Sequence, residues 1–274
     1  MNQPKQIIVS GCFDDIRSRQ LRFLEEAAKC GELSVLLWPD ELQQKLTGKA
    51  PKFPLAERLY FLSAVRYVAR VLPLTATAEV NALPKLDGIA PQIWVDEEVD
   101  ANDQRRELCR RQGVEYRVLP AAQMSGFPTP PPMPSAPGRK KVVVTGCYDW
   151  FHTGHIRFTE EVSAYGDLYV ILGHDANIRL LKGEGHPLIA EAERRYVVGS
   201  IKHVKQALIS SGEGWVDADP EIRRLKPDIY AVNEDGDKGG KREYCEKMGI
   251  EYLVLQRTPA PGLQRRSSTD LRGF

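Results

Sequence analysis

Two histidines three residues apart share one face in the first turn of a helix. The chain places them at His152-Thr153-Gly154-His155, shortly after an apolar run that ends at Gly146. A helix N-terminus presents unpaired N–H groups and positive partial charge, which favour phosphate. Two imidazoles there can donate hydrogen bonds to phosphate oxygens. They can stabilise the charge that grows on a pentacoordinate α-phosphate. Gly154 carries no Cβ, so a phosphorylated ligand could approach the backbone closely. Such chemistry needs positioning and charge stabilisation, without a covalent intermediate. Two plainer readings compete. One is a surface histidine pair; the other is a zinc site using Cys147, His152 and His155, for which no fourth ligand stands at suitable spacing.

The elements that must hold the pair are read from an internal repeat. Lys5-Gln6-Ile7-Ile8-Val9-Ser10-Gly11-Cys12-Phe13-Asp14 aligns with Lys140-Lys141-Val142-Val143-Val144-Thr145-Gly146-Cys147-Tyr148-Asp149 at an offset of 135. The register continues through Arg22/Arg157, Gly31/Gly166 and Asp40/Asp175. After one insertion it resumes with Glu57-Arg58 on Glu193-Arg194, Cys109 on Cys245 and Gly113 on Gly249. In the second copy, apolar runs at 142–145, 168–173, 227–232 and 251–255, with another near 207–208, read as buried parallel strands. Helices are expected near 154–165, 191–202 and 239–248. Strands alternating with helices predict an α/β fold: two tandem, Rossmann-like, doubly wound parallel-sheet domains. Ligands in such sheets bind beyond the C-terminal strand ends. The first strand of the second copy ends there, just before the histidines. Residues 1–120 and 140–274 form the two domains in this reading. The segment 121–139, with its run from Pro128 to Pro137, reads as a semi-rigid linker.

Bulk composition narrows the function classes. The 274 residues suit two domains, and apolar (42%) and charged (27%) shares are those of a globular protein. Thirty-eight basic against 37 acidic side chains leave a net charge of +1, which argues against bulk electrostatic binding of nucleic acid. No run of 18 apolar residues exists, so no membrane span is expected. The start, Met1 to Gln6, runs directly into Ile7-Ile8-Val9, and no secretion signal is expected. Five cysteines without a CxxC pair fit a reducing cytoplasm.

The segment Gly146-Cys147-Tyr148-Asp149-x-x-His152-x-Gly154-His155 resembles the signature of the cytidylyltransferase-like nucleotidylyltransferases. Members include the glycerol-3-phosphate, choline-phosphate and ethanolamine-phosphate cytidylyltransferases. The resemblance implies transfer of a nucleotidyl group from a nucleoside triphosphate to a small phosphorylated acceptor, with release of pyrophosphate. His152, His155, Lys182 and Arg266 would then act on the phosphates. Thr145, Gly146, Cys147, Tyr148, Asp149 and Gly154 would line the nucleotide. Arg265-Arg266-Ser267-Ser268-Thr269 resembles the family's hydroxyl-rich phosphate segment, and Ser and Thr are favoured helix caps. Either Arg257 or Arg266 takes the place of the family arginine. Asn233-Glu234-Asp235 matches the segment near base and ribose, with Asn233, Glu234 and Gly236 differing from the usual residues. Asp149 favours CTP as donor, with ATP as the alternative, and Mg²⁺ is expected on the triphosphate rather than in a protein cage. A non-catalytic nucleotide sensor is the reading from another class.

In the first copy Arg17-Ser18-Arg19-Gln20 stands in place of the histidine motif, and no Ser-Ser-Thr segment follows Leu119. That copy is expected to be inactive with its fold retained, and to serve as an intramolecular pseudo-dimer partner. A regulatory nucleotide held there by Arg17 and Arg19 is the second possibility.

Overall fold

The computed structural model describes residues 4–84, 86, 88–268 and 271. It divides into two compact units, Met1–Gly126 and Phe127–Phe274. In the first unit the elements run β1 (Gln6–Gly11), α1 (Ser18–Ala28), β2 (Glu32–Leu37), α2 (Asp40–Thr47), α3 (Leu55–Ala64), β3 (Arg70–Pro73), β4 (Ile93–Glu97), α4 (Asp103–Gln112) and β5 (Glu115–Leu119). In the second they run β6 (Lys141–Gly146), α5 (Thr153–Ser163), β7 (Asp167–Leu172), α6 (Asp175–Lys182), α7 (Glu191–Gly199), β8 (Val204–Ile209), α8 (Asp219–Leu225), β9 (Ile229–Asn233), α9 (Lys241–Met248) and β10 (Glu251–Leu255).

Each unit has one five-stranded sheet, ordered β3-β2-β1-β4-β5 and β8-β7-β6-β9-β10. All pairings are parallel, so the two sheets share strand order and direction. The fold is the expected α/β, Rossmann-like one. Central strands are buried on both faces: Ile7, Ile8 and Val9 in β1 and Val142, Val143 and Val144 in β6 have no exposed surface. Such unbroken β-branched runs are what a sheet covered by helices on both sides requires. Gly31 and Gly166 mark where the chain re-enters each sheet. A Cβ there would lie 2.2 Å from the Lys5 carbonyl oxygen and 2.3 Å from that of Lys140. No other residue fits so close to a backbone.

Two helices, α6 and α8, were not expected. Both are short, 8 and 7 residues: α6 is capped by a histidine, His174, whose side chain accepts the Asn177 N–H, and α8 begins Asp219-Pro220 without a side-chain cap. Lys182 is the last residue of α6.

The proline-rich segment differs from the spacer expected over 121–139. Ala121–Met124 forms a short 3-10 turn with Met124 buried, and Arg22 donates to the Gln123 carbonyl at 3.0 Å. Residues from Phe127 onward pack on the second unit. Phe127 meets the Tyr196 ring at 6.1 Å between centroids, and Pro130 is buried against Gly199. The Met133 N–H donates to the Lys205 carbonyl at 2.9 Å, beside the edge strand β8. Arg139 pairs with Asp167 at 2.9 Å. Extended proline-rich chain cannot form a ladder, but it can shield a sheet edge.

A fragment 127–274 should therefore melt higher than a fragment 140–274. Burying Phe127, Pro130 and Met133 contributes about 2 kcal/mol. Its loss lowers the melting temperature by roughly 4–8 °C, measurable by scanning calorimetry. Equal melting temperatures would show that the segment is a passive spacer.

Candidate active site

The loop leaving β6 is set before any chemistry is possible. Tyr148 takes positive φ (54°), folding its ring over Gly146, where a Cβ would come within 2.8 Å of that ring. Asp149 is 5% exposed, and its Oδ1 accepts the N–H groups of Leu188 at 2.8 Å and Ile189 at 2.9 Å. Arg194 of α7 is fully buried. Its Nε donates to the Ile189 carbonyl (2.8 Å), Nη1 to that of Cys147 (2.6 Å), and Nη2 to Gly173 (2.9 Å) and Asp175 (2.7 Å). This one fork ties the ends of β6 and β7, the start of α6 and the loop before α7.

On that frame α5 begins at His152, a capping residue that is 4% exposed. Its Nδ1 accepts the Gly154 N–H at 3.0 Å, while Nδ1 of His155 accepts the His152 N–H at 3.3 Å. This is a capping box with imidazoles in place of hydroxyl and carboxylate. A ring nitrogen that accepts carries no proton, so both neutral rings hold theirs on Nε2. The tautomer thus follows from the helix start, and each ring has Nε2–H as its donor. The rings stack 4.0 Å apart between centroids. Phe151 stacks on His155 at 5.2 Å and Tyr148 meets it edge-on at 5.1 Å.

Gly154 has a different reason from the one expected. A Cβ there would lie 2.9 Å from Cε1 of His152. The glycine makes room first for the histidine ring that caps the helix.

Burial pushes the His155 imidazole well below its ordinary value, and the nearness of His152, Arg257 and Lys182, which oppose a positive charge there, adds to the effect. Lys182 is exposed and makes no ion pair among the described residues. Arg257 pairs with Asp235, donates to the Arg266 carbonyl at 3.0 Å, and its N–H meets Glu234 at 3.3 Å. Glu234 and Asp235 are thereby committed to Arg257. Gly154, Asn233, Arg257, Arg265 and Arg266 surround a notch of about 10 Å³. The Asn233 Oδ1 is buried there without a partner among the described residues. Arg257 and Arg266, offered as alternatives by the sequence, both stand at this notch.

The Ser-Ser-Thr segment departs from expectation. Residues 263–267 are irregular and Ser268 lies in a turn, its hydroxyl donating to the Trp150 carbonyl at 3.1 Å. Ser267 and Ser268 therefore do not head a helix within the described residues; Thr269 lies outside them. The segment covers the start of α5, with the Arg266 carbonyl 3.6 Å from where a Gly154 Cβ would be. Thr145 hydrogen-bonds the Tyr230 hydroxyl at 2.6 Å and lines a separate recess of about 30 Å³ with Trp215 and Lys241. Cys147 takes part through its carbonyl, bound by Arg194. Sequence reasoning missed the aromatic bed of Phe151 and the recess around Trp215. For Arg194 the signal was the Glu-Arg pair repeated in both copies.

A helix start with two fixed Nε2–H donors and nearby cations is suited to phosphate oxygens and developing negative charge. The profile of the cytidylyltransferase-like family matches residues 143–273. An FAD synthase of Ferroglobus placidus is 38% identical over 120 residues, covering 43% of this chain and 75% of that protein. The chain belongs to the cytidylyltransferase-like family. An FAD synthase of Methanospirillum hungatei is 34% identical over 134 residues, 48% of this chain and 82% of that protein. The bifunctional protein HldE of Geobacter metallireducens is 36% identical over 104 residues, but the match spans only 20% of its length. The chain is a nucleotidyltransferase of this family, and all these matches are shorter than half of it. No helix among the described residues is long and apolar enough to cross a membrane.

Two measurements check this geometry. Replacing Arg194 by Met leaves three carbonyls and Asp175 without their donor and should cost about 3–5 kcal/mol of second-unit stability in urea unfolding. A change under about 1 kcal/mol would mean the fork is dispensable. His155 gives a pH signature. Above its ordinary value of 6.5 the ring is neutral folded and unfolded alike, and its contribution is fully present. As pH falls below that, the unfolded chain binds a proton the folded chain does not, and stability drops by up to about 1.4 kcal/mol per pH unit. The His155→Asn variant should lose less stability than the native chain between about pH 7 and pH 5; equal losses would contradict the buried, neutral ring.

Proposed function

We propose that the second unit transfers an adenylyl group from ATP to the phosphate of a small acceptor, releasing pyrophosphate. The carrying observation is the pair of imidazoles fixed as Nε2–H donors at the start of α5, beside Lys182 and Arg257. An acceptor phosphate oxygen attacks the α-phosphorus and the bond to the β-phosphate breaks. His152 and His155 donate to the α-phosphate as its charge rises, and Lys182, Arg257 and Arg266 meet the flanking phosphates. The donors at this helix start are N–H groups and cations, and the nearby carboxylates Glu234 and Asp235 are engaged by Arg257. Such a set complements phosphate, so Mg²⁺ would ride on the triphosphate oxygens.

The choice of ATP over CTP rests on two supports. Relatives named FAD synthase make a product that carries an adenylyl group. Asp149, which favoured CTP in the sequence, is occupied by the Leu188 and Ile189 N–H groups. Its counterpart Asp14 also accepts two loop N–H groups, of Lys52 and Phe53, one on each oxygen, at 2.7 and 3.0 Å. A residue that holds the equivalent loop in a unit without the histidines does not select a base. The first unit is assigned no turnover.

The test is pyrophosphate release with ATP or CTP against a panel of phosphorylated alcohols, sugars and flavin mononucleotide. ATP should support release with at least one acceptor, and His155→Ala should lower kcat by roughly 100-fold or more with the fold intact. Turnover with CTP alone would return the donor to the first expectation. Nucleotide binding without turnover on any acceptor would make the unit a sensor.

A further inference from the structure

The first unit keeps an open cleft where the second has its histidines. It measures about 550 Å³ and lies at the C-terminal ends of β1 and β4. That volume is within the range of small-molecule sites. Its chemistry is the reverse of an anion site. Arg17, in the place of His152, pairs with Asp15 at 2.6 Å. Arg19 donates twice to Glu97, at 3.0 and 2.8 Å. Neither guanidinium is left to meet phosphate alone. The lining holds four carboxylates, Asp14, Asp96, Glu97 and Asp100, against the single guanidinium of Arg105. Asp100 makes no hydrogen bond or ion pair among the described residues. Partial burial and the charge of Asp96 push its carboxyl up, outweighing the opposite effect of Arg105 and Arg19.

Three aromatic side chains, Phe13, Phe23 and Trp38, share the same lining. Carboxylates beside aromatic faces are the combination that holds an organic ammonium. The other polar side chains of the lining are engaged: Arg105 is 5% exposed and bonds both Asp96 oxygens at 2.6 Å, Asn81 Nδ2 donates to Gln104 at 2.8 Å and Asn102 Nδ2 to Asn81 at 2.9 Å.

We infer that the first unit's cleft binds a small organic amine, its ammonium held by Asp100 and the aromatic walls. A polyphosphate is excluded by the carboxylates. The same strand ends would thus serve a triphosphate in one unit and a cation in the other. This inference does not depend on which nucleotide the second unit uses.

Titration calorimetry on the full chain tests it, with ethanolamine, choline and glucosamine as probes and ethylene glycol and phosphocholine as controls. At least one amine should bind with a Kd below about 10 mM. Ethylene glycol and phosphocholine should bind on the order of tenfold more weakly or not at all. Asp100→Asn should weaken the amine on the order of tenfold while pyrophosphate release and melting temperature stay unchanged. His155→Ala should leave amine binding intact. Absence of binding by all three amines, indifference to Asp100→Asn, or loss with His155→Ala would each overturn the assignment. So would binding of ATP that is abolished by Arg19→Ala.

Discussion

Arg194 has no exposed side chain, and its fork reaches three carbonyls and one carboxylate. Arg58 does the same in the first unit, donating to the carbonyls of Phe53, Cys12 and Trp38 and to Asp40. Burying a guanidinium is costly unless every direction of its fork is met. Here each direction is met by a loop that has no other reason to converge. The clamp therefore converts the unfavourable burial of one charge into a fixed arrangement of four chain segments. Asp149 and Asp14 reinforce it by accepting backbone N–H groups from the loop before α7 and α3 respectively. The ends of β6 and β7, the start of α6 and the loop before α7 are fixed by that arrangement. A strand-end site made of loops needs such a device, because loops carry few contacts of their own.

The chemistry depends on how α5 starts. Orphan N–H groups at a helix start are usually met by a hydroxyl or carboxylate. Here imidazole Nδ1 atoms meet them, and that use of one nitrogen decides the state of the other. A neutral, oriented Nε2–H donor costs no reorganisation when charge develops on a bound phosphate. Burial among Tyr148 and Phe151, with Lys182 and Arg257 near, keeps His155 neutral where a solvated histidine would begin to charge.

The sheets, their strand direction and the place of the histidine pair just beyond the end of β6 were legible in the sequence. Buried parallel strands read as unbroken apolar runs, and the repeat supplied each element twice. Short helices were not legible: α6 relies on a histidine cap and on packing rather than propensity. The roles of single residues were legible where the partner is near in sequence and obscure where it is far. Gly154 was read as room for a ligand, although the ring two residues away fills that room. Asp149 was read as a nucleotide contact because Leu188 and Ile189, its acceptor-hungry partners, lie 39 and 40 residues on. Ser268 was read as a helix cap, while its hydroxyl serves the Trp150 carbonyl 118 residues away. The proline run was read as a spacer because its composition forbids helix and sheet, and nothing local shows that it lies against β8.

Comparison of the two helix starts separates what the fold needs from what the chemistry needs. In α1, Gln20 Oε1 accepts the Arg17 N–H at 3.0 Å, the same bond that His155 Nδ1 makes to the His152 N–H. An amide oxygen therefore serves the helix as well as an imidazole does. Arg17 has no acceptor to offer its helix, and α1 has no side-chain cap from that position, yet the helix forms with the same 11-residue length as α5. A helix start of this kind therefore forms in the first unit with neither histidine. What glutamine and arginine lack is a ring that accepts on one edge, donates on the other, and remains uncharged while doing so. The clamp and the turn aspartate are present in both units; the imidazoles stand only in the second, beside Lys182 and Arg257. What the second unit adds to the shared helix start is a pair of Nε2–H donors.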